Sequence, residues 1–315
     1  MKTIHSFLAL IALASACAFA ASAEEKPQLT NALGMTFVVL PPGEFTMGSS
    51  VAYAAAMAEK VTYDWYRNSP RSEAPPRQVK LTRGFALCRH ETRLADFRAF
   101  VAATGYRTDA ERDSQGADGK TPDGKWADKQ PQFNWREMGY PRADAEPVVN
   151  VSWNDATAFC AWLTKTEGVK HRLPTEAEWE YACRAGTTGP FFWGDDEAQR
   201  NDYVWSGGNS GGTLHAVMTR KPNAWGLHDM NGSVYEFCTD WWAMTPPAGP
   251  LTDPTGPAAP GVGDETKGQQ WVVLRSGSFG TAPVHCRTAF RGGATKDHRN
   301  RRDGFRVLRE LPIAQ

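Results

Sequence analysis

The stretch Arg172-Leu-Pro-Thr-Glu-Ala-Glu-Trp-Glu-Tyr-Ala-Cys-Arg184 decides how the rest of the chain is read. Thr175-Glu-Ala-Glu178 is a full capping box: the Thr175 hydroxyl accepts from the amide three residues on, and Glu178 reaches back. Pro174 fixes the entry. The spacing predicts a helix that buries Trp179 and Ala182-Cys183 and stops near Gly186. Outward from it, Ser152-Trp-Asn-Asp155 resembles a second N-cap, before a helix over Ala156 to Thr166 that ends at Gly168. Leu94 to Ala103 carries apolar residues at 94, 97, 100 and 101, one face of a helix. Met35 to Gly48 reads as two short strands turned at Pro42-Gly43, and Gln78-Val-Lys-Leu-Thr82 alternates as a strand does. Ala243 to Gln270, rich in Pro and Gly, reads as loop. Helices scattered among short strands argue for an α+β fold with one irregular core, and 12 Trp among 29 Gly and 21 Pro suggest that aromatic packing holds it together.

The N-terminus has the form of a secretory signal. Lys2 supplies the positive end, Phe7 to Ala20 is nearly unbroken apolar sequence, and Ala21-Ser-Ala23 is a small-residue cleavage site. That gives residues 1–23 as signal peptide and 24–315 as a single domain, exported to a periplasm or secreted. A membrane anchor is disfavoured, because about 14 apolar residues fall short of the roughly 20 that span a bilayer. Cys17 after Ala14-Ser-Ala16 leaves a lipoprotein reading open, without the usual Leu. Net formal charge is zero, so no overall field favours nucleic acid or membrane surfaces. The basic run Lys296 to Arg306, broken by two aspartates, reads as solvated surface with a structural Arg. Besides Cys17 there are five cysteines, an odd number that leaves at least one thiol unpaired within the chain.

A further series of motifs runs in a fixed order: Gly43-Glu-Phe-Thr-Met-Gly48, Pro147-Val-Val-Asn-Val-Ser-Trp153, the capped helix, Gly226-Leu-His-Asp-Met-Asn-Gly232, Val273-Leu-Arg-Ser-Gly-Ser278, Cys286-Arg287 and Gly304-Phe-Arg306. With Asn223 to Phe237 this series resembles the formylglycine-generating (sulfatase-modifying factor) family across essentially the whole mature chain. The resemblance implies a C-type-lectin-like fold of the formylglycine-generating-enzyme type, low in regular secondary structure. Relatives use it for sulfatase cysteine oxidation, sulfur-inserting oxygenation, siderophore tailoring, and as modules with no known chemistry.

The resemblance also assigns sites. Asp229 and Glu236 would give side-chain oxygens, and Gly232 and Val234 backbone carbonyls, to a structural calcium, which takes six to eight oxygen ligands. A turn-capping role for the two carboxylates is the plainer alternative. A second calcium site would fall near Asn201 to Gly212, where carboxylates are few. The family's copper oxidases place two cysteines soon after the last strand's Gly-Ser, since thiolates are soft ligands suited to Cu(I). Here Gly277-Ser278 is followed by Phe-Gly-Thr-Ala-Pro-Val-His285 and then Cys286 alone. Cys286 stands where the family forms a disulfide with the capped helix, so a structural Cys183–Cys286 bridge is expected ahead of a reactive Cys286. Copper is not expected. Nor is iron, whose three histidines come in relatives from an added helical domain; His285 beside Cys286 is the one local pair that could hold a metal. Gly207 to Gly212 lacks the Lys-Ser/Thr of a phosphate loop. Asn150-Val-Ser152 and Asn231-Gly-Ser233 match glycosylation acceptors by pattern only.

What remains is a groove. Ser278 matches a family active-site serine and, with Cys286, is the candidate catalytic pair. Tyr235, Trp205 and Arg287 are the candidate ligand-binding residues, with core and rim as the alternative role for the aromatics. The groove would take a polypeptide or small polar molecule. Two functions stay open: an exported oxidative modifier without the two-cysteine copper centre, and a calcium-stabilised binding module for a peptide, glycan or partner protein.

Overall fold

A computed structural model describes residues 26–61, 70–259 and 269–312. The expected signal peptide lies outside these residues, as does part of the Pro/Gly-rich loop. Among the described residues the strands are β1 (Gln28–Thr30), β2 (Thr36–Leu40), β3 (Gly43–Met47), β4 (Arg77–Leu81), β5 (Phe85–Cys88), β6 (Ala117–Lys120), β7 (Trp126–Gln130), β8 (His171–Arg172), β9 (Tyr235–Trp241), β10 (Leu251–Thr252), β11 (Trp271–Arg275), β12 (Gly292–Thr295), β13 (Asp303–Gly304) and β14 (Leu308–Glu310). They form small sheets in the orders β1-β2-β5-β14-β8, β10-β4-β3, β12-β11-β9-β13 and β6-β7. No described helix is long and apolar enough to cross a membrane.

The helices fall where the sequence places them. Leu94–Thr104 ends at Gly105, and Trp153–Glu167 is capped by the Ser152 side chain and closed by Gly168 at φ 67°. The capped helix runs Glu176–Arg184: Glu178 N donates to the Thr175 hydroxyl at 3.1 Å, and Thr175 N donates to Glu178 at 2.7 Å. One expectation needs refinement. The chain does turn at Pro42-Gly43, but β2 and β3 do not pair with each other; β2 joins β1 and β5, and β3 joins β4. The turn carries the chain from one sheet to the next. The Pro/Gly-rich loop likewise adds a strand, β10, parallel to β4.

Two apolar clusters fill the interior. Phe97, Phe100, Trp135, Phe159 and Phe305 form an aromatic knot with ring centroids 5.1–6.4 Å apart. Trp179 anchors the second, with Leu87, Met230, Val273 and Leu308.

Buried ion pairs tie these layers together. Arg275 at the end of β11 reaches Glu176 at 2.9 Å and Glu180 at 2.7 Å, so two successive turns of the capped helix are pinned to the sheet. Arg291 grips Glu176 with two bonds, and Arg184 grips Glu180. Arg306 grips Glu236 with two bonds, while Trp179 Nε1 donates to the same carboxylate at 2.7 Å. The basic run therefore does supply a structural arginine, and Arg299 in the same run is buried against Asp113.

Trp179 is fully buried, so Trp179→Ala should lower unfolding free energy by about 3–5 kcal/mol in urea titration. A loss below about 1 kcal/mol would mean that this helix face is not the core face.

Candidate functional site

Three segments meet where the family resemblance places chemistry: the end of β11, the turn that follows it, and the loop before β9. They are laced by backbone. Gly232 N donates to Ser276 O at 3.0 Å, Ser276 Oγ to Gly232 O at 2.8 Å, and Phe279 N to Ser233 O at 2.7 Å. Gly277 has φ 87°, and a Cβ there would stand 2.8 Å from His285 O and 2.9 Å from Cys286 Sγ. Only glycine lets the following turn fold back this tightly.

The turn brings Ser278 and Cys286 together. Thr281 Oγ1 lies 3.3 Å from Ser278 Oγ and accepts from Ser278 N at 3.0 Å. The Cys286 thiol is hydrogen-bonded by the Ser278 backbone and the Thr281 side chain. All of this is buried. Burial pushes the Cys286 thiol up to about 12, so it stays neutral at physiological pH. His285 is buried too, its ring 4.9 Å from Phe290, and burial with Arg287 and Arg302 holds it down to about 4. A two-thiolate copper centre needs two soft anionic ligands, and this turn offers a single cysteine; the residues do not fit it.

The expected Cys183–Cys286 bridge is not formed. Cys88, Cys160, Cys183, Cys238 and Cys286 are all buried free thiols. The capped helix delivers Cys183 to the carbonyl of Met230, the side chain of Asn231 and the Thr288 hydroxyl. Thr288 is two residues beyond Cys286. The short helical turn Pro283–His285 carries Cys286 back to Gly277 and Ser278 instead.

The groove candidates are placed otherwise than a groove requires. Tyr235 is 1% exposed and packs in the core against Phe290. Arg287 is 1% exposed and holds Glu73 with two bonds of 2.7 and 2.6 Å. Trp205 is half-buried; His215 stacks on it at 3.6 Å and the Arg220 guanidinium lies 3.5 Å from its centroid. Two planar groups that close to one ring must take opposite faces, which leaves Trp205 only its edge for a ligand.

The loop Asp229–Glu236 gathers more charge than the motif showed. Glu91 accepts from Ser233 Oγ at 3.0 Å and from Val234 N at 3.1 Å, while Asp229 accepts from Met218 N at 2.7 Å. Burial, with Asp229 and Glu236 nearby, pushes Glu91 well above the ordinary carboxylate range. Burial chiefly raises Asp229 to about 6, Glu236 adding to it. Three buried carboxylates thus lie within reach of one guanidinium charge, that of Arg306, which bonds only Glu236 among them. Excess buried negative charge among hard oxygen donors fits a calcium ion. Asp229, Glu91 and the Gly232 and Val234 carbonyls would be the groups to hold one, because Glu236 is already committed to Arg306 and Trp179. Among the described residues no three His, Cys, Asp or Glu side chains converge on one point, so carbonyls would carry much of the coordination.

Glu91 went unnoticed in sequence because it sits more than a hundred residues from the loop it serves. So did an open cavity of about 1050 Å³, lined by Arg83, Arg172, Glu178, Trp241, Asp253 and Glu310 among others. Arg172 is held by Glu178 at 2.7 and 2.8 Å and by Glu310 at 2.9 Å. None of the sequence candidates lines it.

The sulfatase-modifying factor enzyme 1-like domain matches residues 21–311. A formylglycine-generating enzyme of Streptomyces coelicolor is 34% identical over 328 residues, covering 93% of this chain and 95% of that protein. The inactive C-alpha-formylglycine-generating enzyme 2 of Mus musculus is 29% identical, covering 89% of this chain and 87% of its own length. The structure of PvdO from Pseudomonas aeruginosa superimposes with a TM-score of 0.68 at 29% identity, over 91% of this chain and 99% of that one.

A thiol count separates the two cysteine arrangements. Native protein should leave all five described thiols unreactive toward a disulfide reagent, and denatured protein purified without reductant should expose every one of them. Loss of two thiols from the denatured count, with a linked Cys183–Cys286 peptide in the digest, would restore the bridge.

Proposed function

The chain belongs to the sulfatase-modifying factor (formylglycine-generating enzyme) family, which includes inactive members, and on that premise we propose that it is an exported, calcium-stabilised binding module. It would recognise a peptide, a glycan or a partner protein on the family frame without two-cysteine copper chemistry. One observation carries this reading: the turn after β11 supplies a single buried cysteine where a pair would be needed. The open cavity supports it, since Trp241 and the fixed Arg172–Glu178–Glu310 cluster offer an aromatic surface beside oriented charge. Export rests on the N-terminal signal pattern, and calcium on the carboxylate excess around Arg306.

A second reading, oxidative modification of a polypeptide or small molecule, is favoured by the Ser278–Thr281–Cys286 cluster and by the likeness to formylglycine-generating enzymes. The two part under one experiment. Labelled peptides and oligosaccharides are screened by fluorescence anisotropy, and a cysteine peptide of the sulfatase type is incubated with the protein, Cu(I) and oxygen. The binding module predicts ligand capture weakened roughly tenfold by Trp241→Ala, with no aldehyde on the peptide. Aldehyde formation that disappears in Cys286→Ser would overturn it.

Calcium is tested separately. The melting temperature should rise with calcium, fall with chelator, and lose this dependence in Asp229→Asn. Melting that ignores both calcium and chelator in the wild type would dismiss the ion.

A further inference from the structure

The buried ion-pair network that pins the capped helix is not balanced. Arg77, Arg184, Arg275 and Arg291 are 7%, 3%, 0% and 3% exposed, against Glu176 and Glu180 at 5% and 0%. Asp240 is the remaining acid beside them, accepting from Glu176 N at 2.8 Å. Burial and the neighbouring Glu176 push its carboxyl up to about 7, so around neutral pH it supplies only part of a negative charge. Glu73 is already matched by Arg287. The network therefore carries surplus positive charge in the interior, where an unmatched ion costs several kcal/mol.

The surplus is localised at Arg77. Arg184, Arg275 and Arg291 each hold a carboxylate and backbone carbonyls. Among the described residues Arg77 Nη2 has only the Met47 sulfur at 3.4 Å, and its Nε and Nη1 have no hydrogen-bond partner. Burial lowers its proton affinity; the nearby Glu176 and Glu180 charges offset this in part, and the Arg291 and Arg275 charges add to it. Buried guanidinium donors are almost always satisfied, so two orphans on one side chain call for a partner beyond the described residues.

There is room for one. A void of about 20 Å³ is lined by Arg77, Arg291, Glu176 and Asp240, and walled by Met47, Leu251 and the prolines of the 246–257 loop. One water needs about 10–15 Å³ on this measure. A water would satisfy hydrogen bonds and leave the charge. A space of this size suits an ion close to water in size. The apolar wall strips solvent, which strengthens an ionic contact.

We propose that Arg77, with Arg291 and Asp240, forms a buried site for one small monovalent anion of chloride size. The ion accepts from the orphaned Arg77 nitrogens and from the Asp240 hydroxyl when that acid is protonated, and it locks the 246–257 loop onto the capped helix. This inference stands apart from the calcium loop and from the open cavity's ligand.

The test is diffraction from crystals grown in sodium bromide, with melting curves at constant ionic strength as gluconate is replaced by chloride or bromide. The expected result is an anomalous peak within contact of Arg77 Nε and Nη1, and a melting temperature that rises with halide and saturates. Arg77→Met removes the orphan donors and the surplus charge together, beside an existing methionine. It should fold at least as well without halide and lose the halide-dependent shift. A water without anomalous signal and halide-independent melting would overturn the site, and so would a halide shift that persists in Arg77→Met.

Discussion

Arginine–carboxylate pairing in the interior is the constraint on which everything else rests. Most of this chain is loop, and a buried loop leaves carbonyl groups that no helix or strand will satisfy. The buried arginines meet both needs at once. Arg306 joins Glu236 to the carbonyls of Cys88 and His228. Arg275 joins Glu176 and Glu180 to the carbonyls of Thr288 and Ala289. Arg184 reaches Gly48, Thr188 and Gly189, and Arg291 reaches Ala243. Each planar fork thus pins loops from distant parts of the sequence to one carboxylate. Such pairs need not beat an apolar core in stability. Removing one partner, however, leaves a buried charge and costs about 3–5 kcal/mol, so the set is locked in once assembled.

This frame explains how a chain can keep its family's architecture while departing at its reactive turn. The pieces that set the turn's shape are Gly277, the Ser276–Gly232 hydrogen bonds and the ion pairs of the capped helix, and none of them requires a second cysteine. Thr281 fills the space beside Ser278 and bonds the Cys286 thiol, which leaves a closed, polar but neutral cluster. The same frame binds the carboxylate-rich loop: Glu236 belongs at once to Trp179, to Arg306 and to the charge excess with Asp229 and Glu91. Fold and charge balance are therefore one problem at this loop.

Local signals were legible. The capping boxes at Ser152 and Thr175, the helical face from Leu94 and the stop at Gly168 depend on residues within a turn of each other, and all form as read. The partner sheets of β2 and β3 were not legible, because pairing depends on strands far away in sequence. The cysteines show the same limit: Cys183 and Cys286 look paired by motif order, yet the backbone's course through Pro283–His285 puts Thr288 at Cys183. Trp205 and Tyr235 read as groove residues because aromatics suit both a cleft and a core; only packing distinguishes the two uses.

The sequence by itself determined the family frame, the helices and their caps, and the lack of a second cysteine near Ser278. Those features are local, or they recur as ordered motifs. Only the tertiary structure decided which charges meet. It put Glu91 beside Asp229, held Arg287 on Glu73, left Arg77 without a carboxylate, and opened the cavity at Arg172 and Trp241. The physical reason is that Coulomb and desolvation energies depend on distance through the fold and on burial, and neither is written in the spacing of residues along the chain.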